Sequence, residues 1–271
     1  QADGPQQCAL ADAVVAGDQQ ALVVEFQGER LRLRQHWMDQ RLQPQLGADD
    51  PRVLAASSYL GLVEVNLGEL QPVIDRLRAI SQRESEATAL RQKLATRRYL
   101  ARALRWQGKP SDALDALAPA LAWPVGEIPR QSATARGRAQ IEYALALIDV
   151  GDRPAAARAI DAASQAFAEN GTVGAEDAAQ MQLARARLAL ASGDAQGALQ
   201  QAEPAHAALL GIYGPAHFEV GEAQGVRAMV QWHSRRDPAA HASVAAAARW
   251  YREQRPWHPD AATLQTMADG G

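Results

Sequence analysis

Three arginines recur at intervals that place them on one face of a helix. Arg98, Arg102 and Arg105 stand at positions i, i+4 and i+7, and side chains at this spacing share one side of an α-helix. A guanidinium group offers planar donors that match the two oxygens of a carboxylate. The stripe therefore predicts a surface for an acidic or C-terminal segment. The alternative is a solvated helix face whose arginines pair with acids near in sequence: Glu84, Glu86 and Asp112.

Residue types that perform catalysis occur without the spacing that catalysis needs. The sequence has six histidines but no H-E-x-x-H pair, and it has neither a G-x-x-x-x-G-K-[ST] loop nor a G-x-S-x-G elbow. Cys8 is the single cysteine, so it can form neither an intrachain disulfide nor a cysteine metal cluster. The acidic pair Asp49-Asp50 stands where helix capping explains it. The sequence predicts neither an enzyme nor a metal or cofactor site.

Composition and charge indicate a helical protein that does not attract nucleic acid. Hydrophobic residues make up 47% of the 271 residues, and most of them are the helix formers alanine and leucine. The formal net charge of −3 gives no basic field for nucleic acid. No uninterrupted apolar run reaches the roughly 18 residues that a membrane-spanning helix needs. Because the chain begins at Gln1, we expect a processed piece of a longer parent, with residues 1–7 as a linker.

A glycine ends a helix-like block four times at a nearly constant interval. Each glycine is followed five positions later by a small or β-branched residue: Gly68 by Val73, Gly108 by Ala113, Gly151 by Ala156, and Gly193 by Ala198. Successive glycines are 40, 43 and 42 residues apart. Such a period is typical of stacked repeats, because one helix pair cannot bury its own apolar face. The sequence therefore predicts helix pairs that stack into a solenoid, with each pair joined at a glycine turn.

The regular spacing divides the chain into one domain of successive repeats. We expect a single solenoid domain at residues 8–271, with repeats at 8–47, 48–83, 84–125, 131–170, 175–212 and 218–254 and a C-terminal cap at 257–268. A long first helix is predicted at 84–107, and another first helix is predicted at 180–192. The fifth turn lacks a glycine and is expected between Arg235 and Pro238.

These blocks resemble tetratricopeptide repeats, which have a small residue in the first helix, a turn glycine and alanines in the second helix. Leu60-Gly61 followed by Gly68 matches this pattern. The period near 42 residues and the connector at residues 213–217 (sequence YGPAH) resemble kinesin-light-chain-type repeats, with residues 257–260 (sequence WHPD) as a degenerate copy of the connector. The resemblance implies an all-α solenoid of about five to six antiparallel helix pairs that forms a right-handed superhelix.

In such arrays the first helices line a concave groove that holds partner segments. Counting back from each turn places eight candidate partner-binding residues in this groove: Asn66, Arg98, Arg102, Arg105, Trp106, Arg138, Arg187 and Trp232. The arginines favour a protein or peptide partner with an acidic or C-terminal segment. The tryptophans are either binding anchors or core residues.

The resemblance implies protein or peptide binding, as the sensor or scaffold domain of a larger bacterial signalling protein. Arrays of similar composition and period occur in membrane-anchored serine/threonine kinases and in winged-helix regulators, so we expect a monomeric periplasmic domain rather than a cytoplasmic one. The alternative is a self-associating assembly or regulatory subunit of an enzyme complex. That alternative predicts apolar residues exposed at one end, such as Trp250, Trp257 and Met267.

Overall fold

The computed structural model describes residues 43–86, 88–123, 129–171 and 173–270. Within these ranges the regular elements are twelve α-helices and one short 3₁₀ turn, Arg130–Ser132, and no strand is present. The predicted linker at 1–7, Cys8 and the predicted first repeat up to residue 42 lie outside the described residues.

The helices follow one another with short connections. Their bounds are α1 (Gln43–Leu46), α2 (Pro51–Leu67), α3 (Leu70–Arg83), α4 (Leu90–Trp106), α5 (Pro110–Leu121), α6 (Ala133–Asp149), α7 (Arg153–Glu169), α8 (Ala175–Ala191), α9 (Ala195–Tyr213), α10 (Phe218–Arg235), α11 (Pro238–Gln254) and α12 (Pro259–Ala268).

Helices α2 to α11 form five consecutive pairs, and α12 follows the fifth pair. The first helices of the pairs (α2, α4, α6, α8 and α10) contact one another in order, and α12 continues this line. We call these six helices the inner row. Each second helix contacts the first helix of its own pair and the first helix of the next pair. This two-layer stacking is the predicted all-α solenoid, and its buried hydrophobic residues form three clusters along the array.

The four turn glycines have the backbone conformation that their position predicts. Their φ angles lie in the left-handed region, which glycine adopts at little cost: 87° at Gly68, 78° at Gly108, 87° at Gly151 and 81° at Gly193. The residue five positions after each glycine is 0% exposed in every case. The predicted phase of the repeat is therefore confirmed. In the fifth pair Arg236, with φ 49°, takes the glycine position between α10 and α11.

Small residues in the first helices let large aromatic rings approach closely. A Cβ atom added at Gly137 would lie 2.6 Å from the Phe167 ring, and one added at Gly221 would lie 2.1 Å from the Trp250 ring. Trp250 and Met267 pack against the core of the last pairs, and Trp257 lies against Gly68. The expectation that these three side chains form an exposed apolar end is therefore wrong.

Some helix limits differ from those that the sequence predicts. Helix α4 begins at Leu90 rather than at residue 84, because Ser85 and Thr88 form a hydrogen-bonded turn before it. Helix α8 begins at Ala175 rather than at residue 180, and α9 extends to Tyr213, one residue past the predicted end of its repeat at 212. The Asp50 side chain caps α2 by accepting from the Arg52 N–H, as predicted for this acidic pair. None of the helices in the described ranges has the length and apolarity to cross a membrane.

Replacing Ala156 with leucine tests how tightly the pairs are packed. Ala156 is fully buried at the close approach between α6 and α7, so the added atoms overpack the site and cost about 1–3 kcal/mol of unfolding free energy. Ala168 lies exposed on the same helix, and the matched variant Ala168→Leu is expected to change stability by less than about 0.5 kcal/mol. Urea unfolding followed by circular dichroism measures both variants. Equal midpoints for the two would contradict the assigned packing.

Candidate functional site

The inner row is joined by charged side chains that lie about one repeat apart in sequence. Arg105 Nη1 donates to Glu142 at 2.6 Å, and Arg102 Nε donates to the same carboxylate at 3.2 Å. Between the next two first helices, Arg138 Nε of α6 donates to Asp177 of α8 at 2.6 Å. These contacts join residues that are 37, 40 and 39 positions apart. The charges therefore cross-link neighbouring first helices and define a polar inner surface.

Glu142 is the centre of this network. Its side chain is 1% exposed and accepts from the two arginines of α4. Burial opposes ionisation of this carboxyl group, but the positive charges of Arg105 and Arg102 outweigh burial, and the pKa of Glu142 lies below its ordinary value. Arg105 also donates to Asp149 at 2.8 Å, and Arg102 lies 4.0 Å from Glu219. These arginines are therefore held in place before any partner arrives.

A partly open cavity of about 320 Å³ lies on the inner row. Its walls combine residues from α4, α6, α8 and α10 with the start of α12. The charged groups that line it are Arg102, Arg105, Glu142, Asp149, Arg187, Glu222 and Asp260. Because charges of both signs line the cavity, it suits a ligand with its own polar or charged groups rather than an apolar one.

Arg187 shows how this surface binds a carboxylate. Both of its terminal nitrogens donate to the carboxylate of Asp260, which lies 73 residues later in the chain. Tyr251 also directs its hydroxyl towards Asp260, at 3.4 Å. Burial raises the pKa of Asp260, but the charge and hydrogen bonds of Arg187 reverse this effect and bring the pKa well below its ordinary range. Asp260 is therefore an ionised, bidentately bound carboxylate.

His258 fixes the start of α12 in its neutral form. Its Nδ1 accepts the backbone N–H of Asp260 at 3.1 Å and so caps the helix. The imidazole ring lies 4.8 Å from Trp106 and 5.0 Å from Tyr251. Burial in this aromatic setting lowers the pKa of His258 to about 4, although the charge of Asp260 opposes the change. His217 caps α10 in the same way, so the two connectors that resemble one another in sequence share one capping device.

The structure brings part of the predicted site together. Arg102, Arg105, Trp106 and Arg187 all line the cavity. Asn66 and Arg138 belong to α2 and α6 of the inner row and take part in contacts along it. Trp232 does not line the cavity; it packs against the core of the last pairs, with its ring centre 6.0 Å from that of His241 of α11. The partner-binding role of all these residues stays a prediction.

The solvated-face alternative is wrong for two of the three stripe arginines. The side chains of Arg102 and Arg105 are only 19% and 9% exposed, and their acids lie in later repeats. Of the acids expected to pair with the stripe, Glu84 instead pairs with Arg97 and Asp112 with Arg78.

Arg98 differs from the other two arginines of the stripe. Its guanidinium lies 4.7 Å from the centre of the Tyr99 ring, and no described acid lies within ion-pair distance of it. Tyr59 of α2 lies beside it, with its ring centre 6.2 Å from that of Tyr99. Burial raises the pKa of Tyr59, while the positive charges of Arg98 and Arg138 act against the rise. Arg98 is therefore a half-buried cation on an aromatic support.

Sequence patterns alone did not single out the acids of the network or the C-terminal residues of the cavity as site residues. Glu142 and Glu222 belong to no motif, and Asp260 belongs only to the connector-like sequence WHPD at residues 257–260. For Glu142 a signal was present, because it stands 40 positions after Arg102, close to the repeat period. Asp260 had no such signal, since its partner is 73 positions away. Among the described residues, no group of three or more histidine, cysteine or acidic side chains is placed to hold a metal ion.

Two solved structures have the same fold. Both are crystal structures of a Podosopora anserina protein whose name refers to a kinesin light chain with nearly identical TPR-like repeats. One of them, a single-site variant, superposes with a TM-score of 0.52 at 20% identity and covers 76% of this chain and 98% of its own. The other has a TM-score of 0.50 at the same identity and coverage. The chain therefore has a TPR-like helical-repeat fold. The sequence matches no protein-family model and no curated protein.

Replacing Glu142 with glutamine tests whether the buried network holds the inner row together. The change leaves two buried arginines without their shared carboxylate, and we expect a loss of about 3 kcal/mol of unfolding free energy. The matched variant is Asp112→Asn, which removes the half-exposed pair with Arg78 and is expected to cost less than about 1 kcal/mol. Denaturant unfolding of both variants measures their unfolding free energies. Similar decreases for the two variants would contradict the prediction that Glu142 holds the inner row together.

Neutral His258 predicts a pH dependence of stability. The pKa of His258 is about 4 in the folded chain and about 6.5 when unfolded, so between these values the unfolded state binds more protons. Unfolding free energy therefore falls as pH falls from 6.5 to 4, by about 3 kcal/mol from this group. Asparagine also caps helices but does not titrate in this range, so His258→Asn should flatten the profile above pH 5. Unfolding midpoints measured from pH 7 to pH 5 test this. A profile as steep as that of the wild type would assign the effect to other groups.

Proposed function

We propose that this chain is a non-catalytic protein-interaction scaffold whose inner row binds an acidic segment of a partner protein. The observation that carries the proposal is the bidentate pair between Arg187 and Asp260, because it shows a carboxylate from outside the helix pairs bound by an inner-row arginine. The TPR-like fold supports a protein partner, and the presence of both cations and acids in the cavity supports a polar segment.

The spacing of the arginine stripe gives a path for the partner segment. Arg98, Arg102 and Arg105 follow one face of α4 over a distance of about 10 Å, since an α-helix rises about 1.5 Å per residue. An extended chain covers this distance in about three residues. We therefore place one partner carboxylate at Arg98, where no described acid competes, and a second near the cavity.

The preorganised charges explain how such a surface could be selective. The arginines that line the cavity already have fixed positions because Glu142, Asp149 and Asp260 bind them. A partner then loses less free energy on binding, since these long side chains need not be ordered. The acids also repel partners that carry acidic groups at the wrong spacing, which favours one segment over others.

We also propose that the chain is the sensor or scaffold domain of a larger bacterial signalling protein and that it lies on the periplasmic side of a membrane-anchored parent. Support for this part comes from the alanine- and arginine-rich composition and the period near 42 residues. A partner protein captured from cell lysate, once identified, would show in which pathway and in which compartment the chain acts.

Charge reversal at Arg98 tests the proposed function. The wild-type chain, Arg98→Glu and Arg158→Glu are used as baits in lysate of the native organism, with bound proteins identified by mass spectrometry. Arg158 is an exposed arginine on the second helix α7 and serves as the matched control. We expect a partner that binds the wild type and the control but loses at least about tenfold in affinity for Arg98→Glu, since paired charges contribute a few kcal/mol when partly buried.

A synthetic peptide from the captured protein then measures the interaction directly. Its affinity should fall with added salt, and neutralising its acids should reproduce the effect of Arg98→Glu. Capture that is equal for all three baits would contradict the inner-row site. Recovery of the chain alone, with a size that grows with concentration, would favour the self-associating alternative.

A further inference from the structure

The C-terminal part of the chain reaches across the inner row to the first described helix pair. We call residues 255–268 the C-terminal segment. Arg255 Nη2 donates to Asn66 Oδ1 at 3.1 Å, and these two residues are 189 positions apart. Next to this contact, the Trp257 ring lies against the turn between α2 and α3, where a Cβ added at Gly68 would be 2.3 Å from the ring. The segment thus joins the two ends of the described array.

Further contacts hold the segment over the cavity. The guanidinium of Arg255 lies 4.6 Å from the centre of the Phe218 ring and 5.3 Å from that of Trp106, and it forms an ion pair with Glu222. His258 contacts Trp106 edge-on. Two residues expected to bind a partner, Asn66 and Trp106, are therefore in contact with the chain's own C-terminal segment.

Asp260 occupies a carboxylate position on the inner row that a partner could use. It accepts from both terminal nitrogens of Arg187 and forms one wall of the cavity. This is the contact that the acidic group of a partner would make. A partner carboxylate and Asp260 therefore cannot both use the same face of Arg187.

The segment is attached by polar and aromatic contacts, and α12 itself buries little aliphatic surface completely. Leu264 is the single apolar residue that α12 buries fully, whereas α10 buries several, including Val220, Val226 and Met229. Polar contacts exchange for contacts with water at small net cost, but each fully buried aliphatic side chain contributes about 1.5–3 kcal/mol. Helix α12 is thus held less firmly than the helix pairs that precede it.

We propose that the C-terminal segment is an intramolecular occupant of the partner-binding site and is displaced when a partner carboxylate takes the place of Asp260 on Arg187. This inference rests on the proposed function. A tethered occupant acts at an effective concentration in the millimolar range, so it lowers the apparent affinity of every partner. Partners with low intrinsic affinity then do not displace it. Its release also separates the two ends of the array, because the contacts of Arg255 and Trp257 leave with it.

The test uses the full chain and a fluorescent peptide with the sequence of residues 254–270. In the wild type the covalently attached copy competes with the peptide. Trp257→Ala removes the contact with Gly68 but leaves Arg187 and the cavity intact, so the peptide should bind this variant at least about tenfold more tightly than the wild type. Trp123→Ala is the matched control, since Trp123 is 41% exposed and outside the inner row. This variant should bind the peptide with the affinity of the wild type.

Two further changes show where the peptide binds. A peptide in which the residue equivalent to Asp260 is asparagine should bind the Trp257→Ala variant at least about tenfold more weakly, because the bidentate contact is lost. The double variant Trp257→Ala/Arg187→Gln should bind the unchanged peptide more weakly than Trp257→Ala does, by the same factor of at least about ten. Circular dichroism checks that each variant is folded.

Hydrogen exchange of the wild-type chain provides a measurement that needs no variant. Amides of α12 should exchange at least about a hundredfold faster than those of α10 if the segment opens on its own. Exchange of α12 as slow as that of α10, or no gain in peptide affinity for Trp257→Ala, would show that α12 is a fixed cap and overturn this inference. The proposed function is judged separately by capture at Arg98: it can hold with a fixed α12, or fail while the peptide binds as expected.

Discussion

The buried carboxylate of Glu142, bound by Arg102 and Arg105 of the preceding repeat, is the interaction on which the inner surface depends. A charge that is 1% exposed is stable only when its partners are fixed and its hydrogen bonds are made. Because those partners come from α4 and the carboxylate from α6, the pair bridges two first helices. The same arginines extend to Asp149 and Glu219, so this one contact links several of the charged groups on the inner row.

Apolar packing explains why the charges meet at all. Each helix pair buries its apolar side against the next pair, and small residues such as Gly137 and Gly221 let aromatic rings of the second helices lie close. The stacking repeats at nearly constant intervals, so residues about 40 positions apart become neighbours on the inner row. The polar network is therefore a consequence of the apolar repeat, although none of its members belongs to the repeat pattern.

The two ends of the described array are in contact with each other. Contacts between Asn66 and Arg255, and between Gly68 and Trp257, bring together residues from the first and last parts of the described chain. A surface that the family resemblance implies to be an open groove is in this chain partly covered by its own C-terminal segment. In the proposed function, a partner carboxylate competes with Asp260 only where it binds Arg187, and Arg98 has no such competitor among the described residues.

The sequence by itself determined the fold class, the turns and the phase of the repeat, because these depend on local chemistry. Left-handed glycines end the first helices at the predicted positions, and the residues five positions later are fully buried as predicted. The sequence also placed Arg102, Arg105, Trp106 and Arg187 on one common surface. Only the tertiary structure decided which acids these arginines bind and that Asp260 is one of them. Helix periodicity tells which face a side chain is on, but the partners of a charge depend on how far the stacked pairs rotate, and that rotation is the sum of many packing contacts that no local pattern records.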